Sequence, residues 1–437
     1  MKIIFLGNDS NTAFNEFGVV AERLYELDTS RDITFVSNKL SAQLFLNKLI
    51  KQEIVSHVYF PESDYISLRL IKKLSCFAYL RKILKLSAYF CRHLHLIAWI
   101  KPIIQGADVV ITYSDRSDES MGAGLKWARK YDIPILELQV ATYDPYFIFN
   151  TRKKKPEYSL KGMNVLFYLF AQKNVKEIDS IKLVYFPLYK WLILSVFGML
   201  PIHPWIMGRN GTSQILCFDD RQRTIRVDEG IAEDVAVTIG HISFDMLYAS
   251  SIKRESLRLT LLEDLFGKIP NGARVVVVAA PHLYEHGLMS LEEAIAEIKY
   301  ILSVTRQLKD TFVLWSLHPK MNFENYEFIN YSKNSRIVTK EKLNVILPVA
   351  DLFIAMFKST VFWAEALGIQ TVLLNYLDLG VDPRDLSQTK IILEKGSLVP
   401  QILLHMLNSD EIRRKSEFLD GQVINRIDQY IKQATEI

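Results

Sequence analysis

Two short apolar runs, each ending in a cluster of polar residues, restrict the fold of this chain more than any other feature. In Phe312–Leu317 and Leu352–Phe357 the apolar side chains follow one another without alternation, which is typical of parallel strands covered on both faces. A short helical pattern, Val361–Leu367, and a third apolar run, Thr371–Asn375, come next. The order strand, helix, strand predicts an open α/β sheet.

The polar residues that follow the two strands predict an anion site. Ligands of open α/β sheets bind outside the carboxyl ends of the strands, and a helix N-terminus offers free N–H groups and a favourable dipole there. A capping serine and a surface turn would explain each cluster alone. Because we expect the two strands to be neighbours, we interpret the clusters together as one phosphate or diphosphate pocket. Its residues are His318, Lys320, Lys358, Ser359 and Thr360.

The N-terminal part also alternates strand-like and helical patterns. The turn after the first apolar run, Lys2–Phe5, lacks GxGxxG, so we expect no dinucleotide cofactor. A chain of 437 residues with 49% hydrophobic residues can bury two cores. We expect a first domain over residues 1–248 and a second over 249–437, which ends in a helix, Asp410–Thr435.

Composition excludes several classes of function. The net charge of +4 is small for this length and does not suggest a nucleic-acid partner. The cysteines, Cys76, Cys91 and Cys217, are widely spaced and form no metal-binding pattern, so we expect no metal and a reducing compartment. The first residues contain no apolar run of signal-peptide length, and we expect a cytoplasmic protein.

An acidic loop follows the predicted strand Asp108–Thr112. A carboxylate at the carboxyl edge of a sheet is suited to act as a general base. Capping of the next helix by Ser117 or Asp118 is the competing role, and both stay open. The candidate bases are Asp115, Asp118 and Glu119.

Two further turns follow predicted strands and belong to the expected ligand edges. Gly240 and His241 come after Val235–Ile239, and His282 comes after Val275–Ala279. Glycine allows the backbone to approach a ligand or to adopt a positive φ. We therefore add these three residues to the predicted nucleotide-binding set.

Two insertions in the first domain, residues 65–107 and 150–207, combine basic and bulky apolar residues. The first carries lysines and arginines at helical spacings and not one acidic residue. A helix on an anionic bilayer surface needs that composition, and a pair of core helices with a solvated basic face shows it too. In the second, Lys190 and several prolines argue against a membrane span. Its aromatic residues suit a membrane interface, an acceptor lipid groove or the interior of the insertion.

Three short motifs carry a resemblance to a known family. They are the pair His318-Pro319, a Ser/Thr turn leading to EALG at Glu365–Gly368, and DVAVTIGHISFDMLY at Asp234–Tyr248. Over Ser213–Asp378 the chain resembles GT-B glycosyltransferases that build bacterial surface polysaccharides. It is similar to sialyl- and Kdo-transferases with HP and Ser motifs, to CDP-glycerol glycerophosphotransferases and, more distantly, to UDP-GlcNAc 2-epimerases.

The resemblance implies two Rossmann-like α/β domains that face a cleft, with the terminal helix, Asp410–Thr435, crossing back to the first domain. The second would hold a nucleotide-sugar donor, and the first would present a glycan or lipid-linked acceptor of capsule or O-antigen biosynthesis. Such an enzyme needs no metal. It would work in the cytoplasm or at the inner face of the cell membrane, where peripheral contact with anionic lipid stays open.

The resemblance also implies roles for individual residues. His241 would contact a donor phosphate, and Glu365 would bind a ribose or sugar hydroxyl. Asp118 or Asp115 would deprotonate the acceptor. The leaving phosphate would be stabilised by His318, Lys358, Ser359 and Thr360.

Three alternatives stay open. A UDP-GlcNAc 2-epimerase shares the architecture, but the loop Gly7–Asn11 stands where those enzymes have a GTRPE-like loop, and Ser359-Thr360-Val361 replaces their Ser-Gly-Gly turn. A CDP-glycerol glycerophosphotransferase differs in its donor. A non-catalytic scaffold on a membrane would bind no nucleotide.

Replacing Asp118 tests the predicted base. We expect Asp118→Asn to lower turnover while nucleotide affinity stays nearly unchanged, because a base contacts the acceptor and not the donor. Turnover and calorimetric nucleotide affinity of one preparation check this. A variant with full turnover would leave helix capping as the role of Asp118.

Overall fold

The chain divides into two units, each with a parallel sheet of its own. The computed structural model describes residues 1–7, 11–38, 43–60, 78–117, 120–143, 146–267, 269–270, 272–377, 386, 389–409 and 414–436. Unit 1 comprises Met1–Ile242 together with Ile424–Ile437, and unit 2 comprises Ser243–Val423.

Unit 1 contains a parallel sheet. The strands of unit 1 are β1 (Lys2–Leu6), β2 (Asp32–Ser37), β3 (Ser56–Tyr59), β4 (Val109–Thr112), β5 (Ile135–Leu138), β6 (Val175–Ile178), β7 (Ile181–Val184), β8 (Gln214–Cys217) and β9 (Ala236–Thr238). β6 and β7 form a separate antiparallel hairpin. The others pair in parallel in the order β3-β2-β1-β4-β5-β8-β9. The central strand β1 is buried from Ile3 to Leu6, as expected for a strand covered on both faces.

Helices cover this sheet and form much of the insertions. They are α1 (Asn11–Leu27), α2 (Gln43–Lys51), α3 (Ala78–Ile104), α4 (Ser120–Lys130), α5 (Phe147–Lys153), α6 (Phe167–Phe170), α7 (Leu188–Val196) and α8 (Asp220–Asp228). In the basic insertion, α3 buries Leu96, Ile97 and Ile100 in the core, so this half of the helix is a core helix. Residues 61–77 and the side chains of 78–86 lie outside the described part. No helix in the described ranges has the length and apolarity needed to cross a bilayer.

Unit 2 contains a second parallel sheet. Its strands are β10 (Arg274–Ala279), β11 (Thr311–Ser316), β12 (Ser335–Ile337), β13 (Leu352–Ala355), β14 (Gln370–Leu374) and β15 (Thr389–Ile392). They pair in parallel in the order β12-β11-β10-β13-β14-β15. Its helices are α9 (Ser243–Ile252), α10 (Arg254–Phe266), α11 (Leu291–Thr305), α12 (Leu343–Ile346), α13 (Lys358–Ala366) and α14 (Pro400–Leu407).

The last helix, α15 (Val423–Thr435), returns the chain to unit 1. An ion pair holds it there: the guanidinium of Arg31, almost fully buried, lies 2.5 Å from Asp428. The helix is shorter than the predicted Asp410–Thr435, since residues 414–422 are not helical. The prediction of two Rossmann-like α/β domains with a returning C-terminal helix is confirmed.

A buried ion pair joins the sheet of unit 1 to a covering helix. Glu137 on β5 and Arg226 on α8 are both 0% exposed, and their charged groups lie 2.9 Å apart. Burial raises the pKa of Glu137, and Arg226 opposes that shift. The guanidinium also lies 3.7 Å from the ring centroid of Tyr143. Each charge therefore depends on the other, because an unpaired buried ion is costly.

Breaking this pair tests how far unit 1 depends on it. We expect Arg226→Met to lower the free energy of unfolding by about 3–5 kcal/mol, because it leaves the Glu137 carboxylate unpaired. Adding Glu137→Leu should restore much of the loss, since both buried charges are then gone. Denaturant titration of the two single variants and the double variant measures this. Additive losses would contradict the coupling.

Candidate functional site

Two histidine rings stack at the carboxyl edge of the unit 2 sheet. His282 follows β10 and His318 follows β11, and these strands are parallel neighbours, so their ends meet at one edge. The ring centroids of His282 and His318 are 4.0 Å apart with an interplanar angle of 11°. A third ring, that of His286, lies 4.4 Å from His282. We call His282, His286 and His318 the histidine cluster.

The start of α13 lies beside the histidine cluster. Phe357, its N-cap residue, has its ring centroid 4.3 Å from that of His282, and its side chain provides no cap to the helix. The first N–H groups of a helix have no partner inside the helix. The imidazoles and the amide donors at the start of α13 therefore occur at the same edge of the sheet.

The strand order corrects one premise of the sequence analysis. The expectation that the strands before His318 and Ser359 are neighbours is wrong, because β10 lies between β11 and β13. The sequence does not encode this order locally, since β10 precedes both strands in the chain. His282, at the end of β10, therefore occupies the central position between the two predicted clusters.

The imidazoles of His282 and His318 are held in the neutral form at neutral pH. Burial, together with the nearby His318, His286 and Lys320, lowers the pKa of His282 to about 3. Burial and the charge of Lys320 also lower the pKa of His318. The backbone N–H of Lys320 donates to Nδ1 of His318 over 3.2 Å, so the proton of the neutral ring is on Nε2. Nε2–H of His318 is thus a donor suited to a ligand oxygen.

The carboxylate of Glu285, a hydrogen-bond acceptor, interacts electrostatically with His318. The hydroxyl of Tyr326 donates to Oε1 of Glu285 over 3.1 Å, while Oε2 of Glu285 is buried and has no hydrogen-bond partner among the described residues. The negative charge of Glu285 partly offsets the fall in the pKa of His318. A ligand hydroxyl would supply the partner that Oε2 lacks.

The other predicted residues of unit 2 have varied surroundings. Lys320 is exposed. Thr360, in the first turn of α13, donates its hydroxyl to the carbonyl of Phe357 over 3.4 Å. Glu365 accepts a 2.7 Å hydrogen bond from the side chain of Thr389 and thereby links α13 to β15. Lys358 and Ser359 belong to the first turn of α13, and only their backbone is described.

Among the described residues, the predicted residues of unit 1 form no cluster of this kind. Oδ2 of Asp115, a buried carboxylate, accepts from the backbone N–H of Asn210 over 2.8 Å and from Thr212 over 3.3 Å. These bonds hold the 210–212 loop. Gly240 has a φ of +93°, and burial lowers the pKa of His241 to about 4. Asp118 and Glu119 lie outside the described residues.

Three residues of the site were not found by sequence reasoning. His286 and Glu285 lie in the HLYEH segment after β10, whose four-residue histidine spacing was the available signal. The sequence pattern predicts Phe357 only as the last residue of a strand. In the described part of the chain no three His, Cys, Asp or Glu side chains are grouped so as to hold a metal ion.

Comparisons with known proteins identify the fold. No family model matches the chain, and no curated protein does. UDP-GlcNAc 2-epimerase from Neisseria meningitidis, solved with UDP-GlcNAc bound, is 12% identical with a TM-score of 0.52, and the match covers 99% of this chain and 100% of that one. MnaA from S. aureus, in a co-structure with UDP, is 11% identical with a TM-score of 0.52 over 100% and 97% of the two chains.

A glycosyl-transferring enzyme shares the same architecture. The glycotransferase of kitacinnamycin is 10% identical to this chain with a TM-score of 0.51, and the match covers 99% of this chain and 95% of that one. At such identities the likeness shows the fold alone. The chain therefore has a GT-B-like fold of two parallel α/β domains, as the resemblance implied.

The pH dependence of stability tests the environment of the cluster. His282 has a pKa of about 3 in the folded chain and about 6.5 when unfolded, so the unfolded state binds its proton first as pH falls. We expect the free energy of unfolding to decrease below about pH 6.5, and to decrease less in His282→Phe. Denaturant titrations between neutral and acidic pH measure the difference. His405→Phe, at an exposed position of α14, should respond like the wild type.

Proposed function

We propose that the protein is a glycosyltransferase that moves a sugar from a nucleotide-activated donor to a glycan or lipid-linked acceptor of a surface polysaccharide. The observation that supports this most is the stacked pair His282 and His318 beside the start of α13, at the carboxyl edge of a parallel sheet. Diphosphate groups bind at such edges and at helix N-termini.

The site offers groups for both parts of a nucleotide-sugar. Nε2–H of His318 and the first amides of α13 are donors suited to phosphate oxygens, where negative charge develops as the leaving group departs. Oε2 of Glu285 is an acceptor suited to a ribose or sugar hydroxyl. Binding of an anion also favours protonation of His318, which adds a charge-assisted hydrogen bond when the phosphate leaves.

The general base is proposed from the sequence. Asp118 remains our candidate for deprotonating the acceptor hydroxyl. Asp115 carries two hydrogen bonds to the 210–212 loop, and we assign it to holding that loop. A metal is not part of the proposed reaction.

The alternatives differ in their products. A transferase releases nucleotide only when an acceptor is present, whereas a UDP-GlcNAc 2-epimerase changes the sugar without an acceptor. A glycerophosphotransferase uses CDP-glycerol and releases CMP. A non-catalytic scaffold leaves every donor unchanged. Product analysis after incubation with each donor, with and without an oligosaccharide or lipid-linked acceptor, separates the four.

Nucleotide binding and turnover of His318→Ala test the proposal. We expect the variant to bind its nucleotide more weakly and to turn over about a hundredfold more slowly, since one donor to a developing oxyanion contributes roughly 3 kcal/mol. The nucleotide is first selected by a thermal-shift screen of CMP, CDP, UDP and GDP, because saturating ligand raises stability by about 2.7 kcal/mol at 100 times its Kd.

His405→Ala is the matched control, a histidine removed from an exposed position of the same unit. It should bind nucleotide and turn over like the wild type. The circular dichroism of both variants establishes that they are folded. Unchanged nucleotide affinity in folded His318→Ala would remove the pocket and with it the main support for a transferase.

A further inference from the structure

Helix α7 buries one face and exposes another that is equally apolar. Its side chains Ile193 and Leu194 are buried in the core of unit 1. Tyr189, Leu192 and Val196, spaced three and four residues apart, are exposed, Val196 to 71%. A surface helix normally places polar side chains on its outer face. The apolar outer face of α7 thus needs a reason outside the fold.

The segment of residues 162–170, which includes α6, exposes a second set of apolar side chains. A 3-10 helix, Gly162–Leu166, leads directly into α6. Within α6, Phe167 is buried, whereas Leu169 is 79% exposed. The exposed apolar residues of this segment are Met163, Val165, Leu166, Leu169 and Phe170.

Aromatic contacts join these segments into one surface. The ring of Phe170 lies 5.3 Å from that of Trp191 on α7. At the other end of α7, Phe197 contacts Phe90 of α3 with ring centroids 4.7 Å apart. Phe90 and, one turn later, Leu94 are exposed as well. We call the exposed apolar residues of α3, of α7 and of the 162–170 segment the apolar patch.

Basic residues flank the apolar patch. Lys161 and Lys173, on either side of the 162–170 segment, are exposed, as are Lys153–Lys155. Residues 146–207 contain nine basic residues against three acidic ones, Glu157, Glu177 and Asp179, and Glu177 is paired with Lys182. This positive excess is larger than the net charge of +4 of the whole chain. Residues 146–207 are therefore one of the two basic stretches of the chain, together with the insertion 65–107 to which α3 belongs.

We propose that the apolar patch is a membrane-docking surface that inserts into the interface of an anionic phospholipid bilayer. Exposed aromatic and aliphatic side chains bury into the boundary of headgroups and acyl chains, while lysines contact the anionic headgroups. A second copy of the chain fits less well. A two-fold interface places the same patch on both subunits, and the flanking lysines would then face lysines.

Vesicle binding of the full-length protein tests the proposal. Vesicles of phosphatidylcholine alone are compared with vesicles of phosphatidylcholine and phosphatidylglycerol in equal amounts. We expect flotation with the anionic vesicles at low salt and release as salt rises. Leu169→Gln/Val196→Gln should lower the ratio of bound to free protein by about tenfold or more, because two inserted apolar side chains are lost. Lys161→Gln/Lys173→Gln should lower it by about fivefold for each charge.

Ile252→Gln/Tyr331→Gln is the matched control. These residues of unit 2 are 67% and 77% exposed, which is similar to the exposed fractions of Val196 and Leu169. The control should bind vesicles like the wild type. Thermal melts of all variants should coincide with that of the wild type, since every replaced side chain is exposed. Nucleotide affinity, which concerns unit 2, should not change, so the test is independent of the proposed enzyme activity.

Three results would overturn the proposal. The first is equal recovery of the wild type in the supernatant with both kinds of vesicle. The second is equal binding by the wild type and Leu169→Gln/Val196→Gln, which would reduce the contact to surface charge. The third is a wild-type protein that is dimeric in sedimentation equilibrium while Leu169→Gln/Val196→Gln is monomeric, which would assign the patch to self-association.

Discussion

Parallel pairing of β10 with β11 on one side and β13 on the other is the constraint from which the candidate site follows. In a parallel sheet all carboxyl ends lie at one edge. Three segments that are far apart in the sequence therefore place their side chains next to one another. Crowding has an electrostatic consequence. His282 lies between the other two strand ends, and its pKa is lowered to about 3 because burial and neighbouring positive charge both disfavour its protonated form.

The strands themselves could be predicted from sequence because their chemistry is local. Continuous apolar runs identify β11 and β13 to within about two residues, and the polar residues after them indicate the ligand edge. Strand order is not local: it depends on which apolar surfaces pack best, and β10 between the two strands left no sign in either motif. The identity of His282 as a site residue was predicted, whereas its contact with both clusters was not.

The bonding partners of carboxylates could not be predicted from the sequence either. Glu297 in α11 is buried, accepts from the hydroxyl of Tyr376 and lies 2.5 Å from Lys395. Asp115 was a candidate base from its loop position and is a buried acceptor for a backbone amide. A sequence shows that a carboxylate follows a strand, whereas only the fold shows whether its oxygens are already bonded.

The return of the chain to unit 1 has a consequence for synthesis on the ribosome. Unit 2 is continuous in sequence, but unit 1 is interrupted by it and includes α15. Arg31, made early, gains its buried partner Asp428 only after all of unit 2 has been translated. Nascent unit 1 therefore lacks α15 until unit 2 has been translated. Messages truncated before α15 would yield chains that contain nearly all of unit 2 but lack the segment with which unit 1 ends.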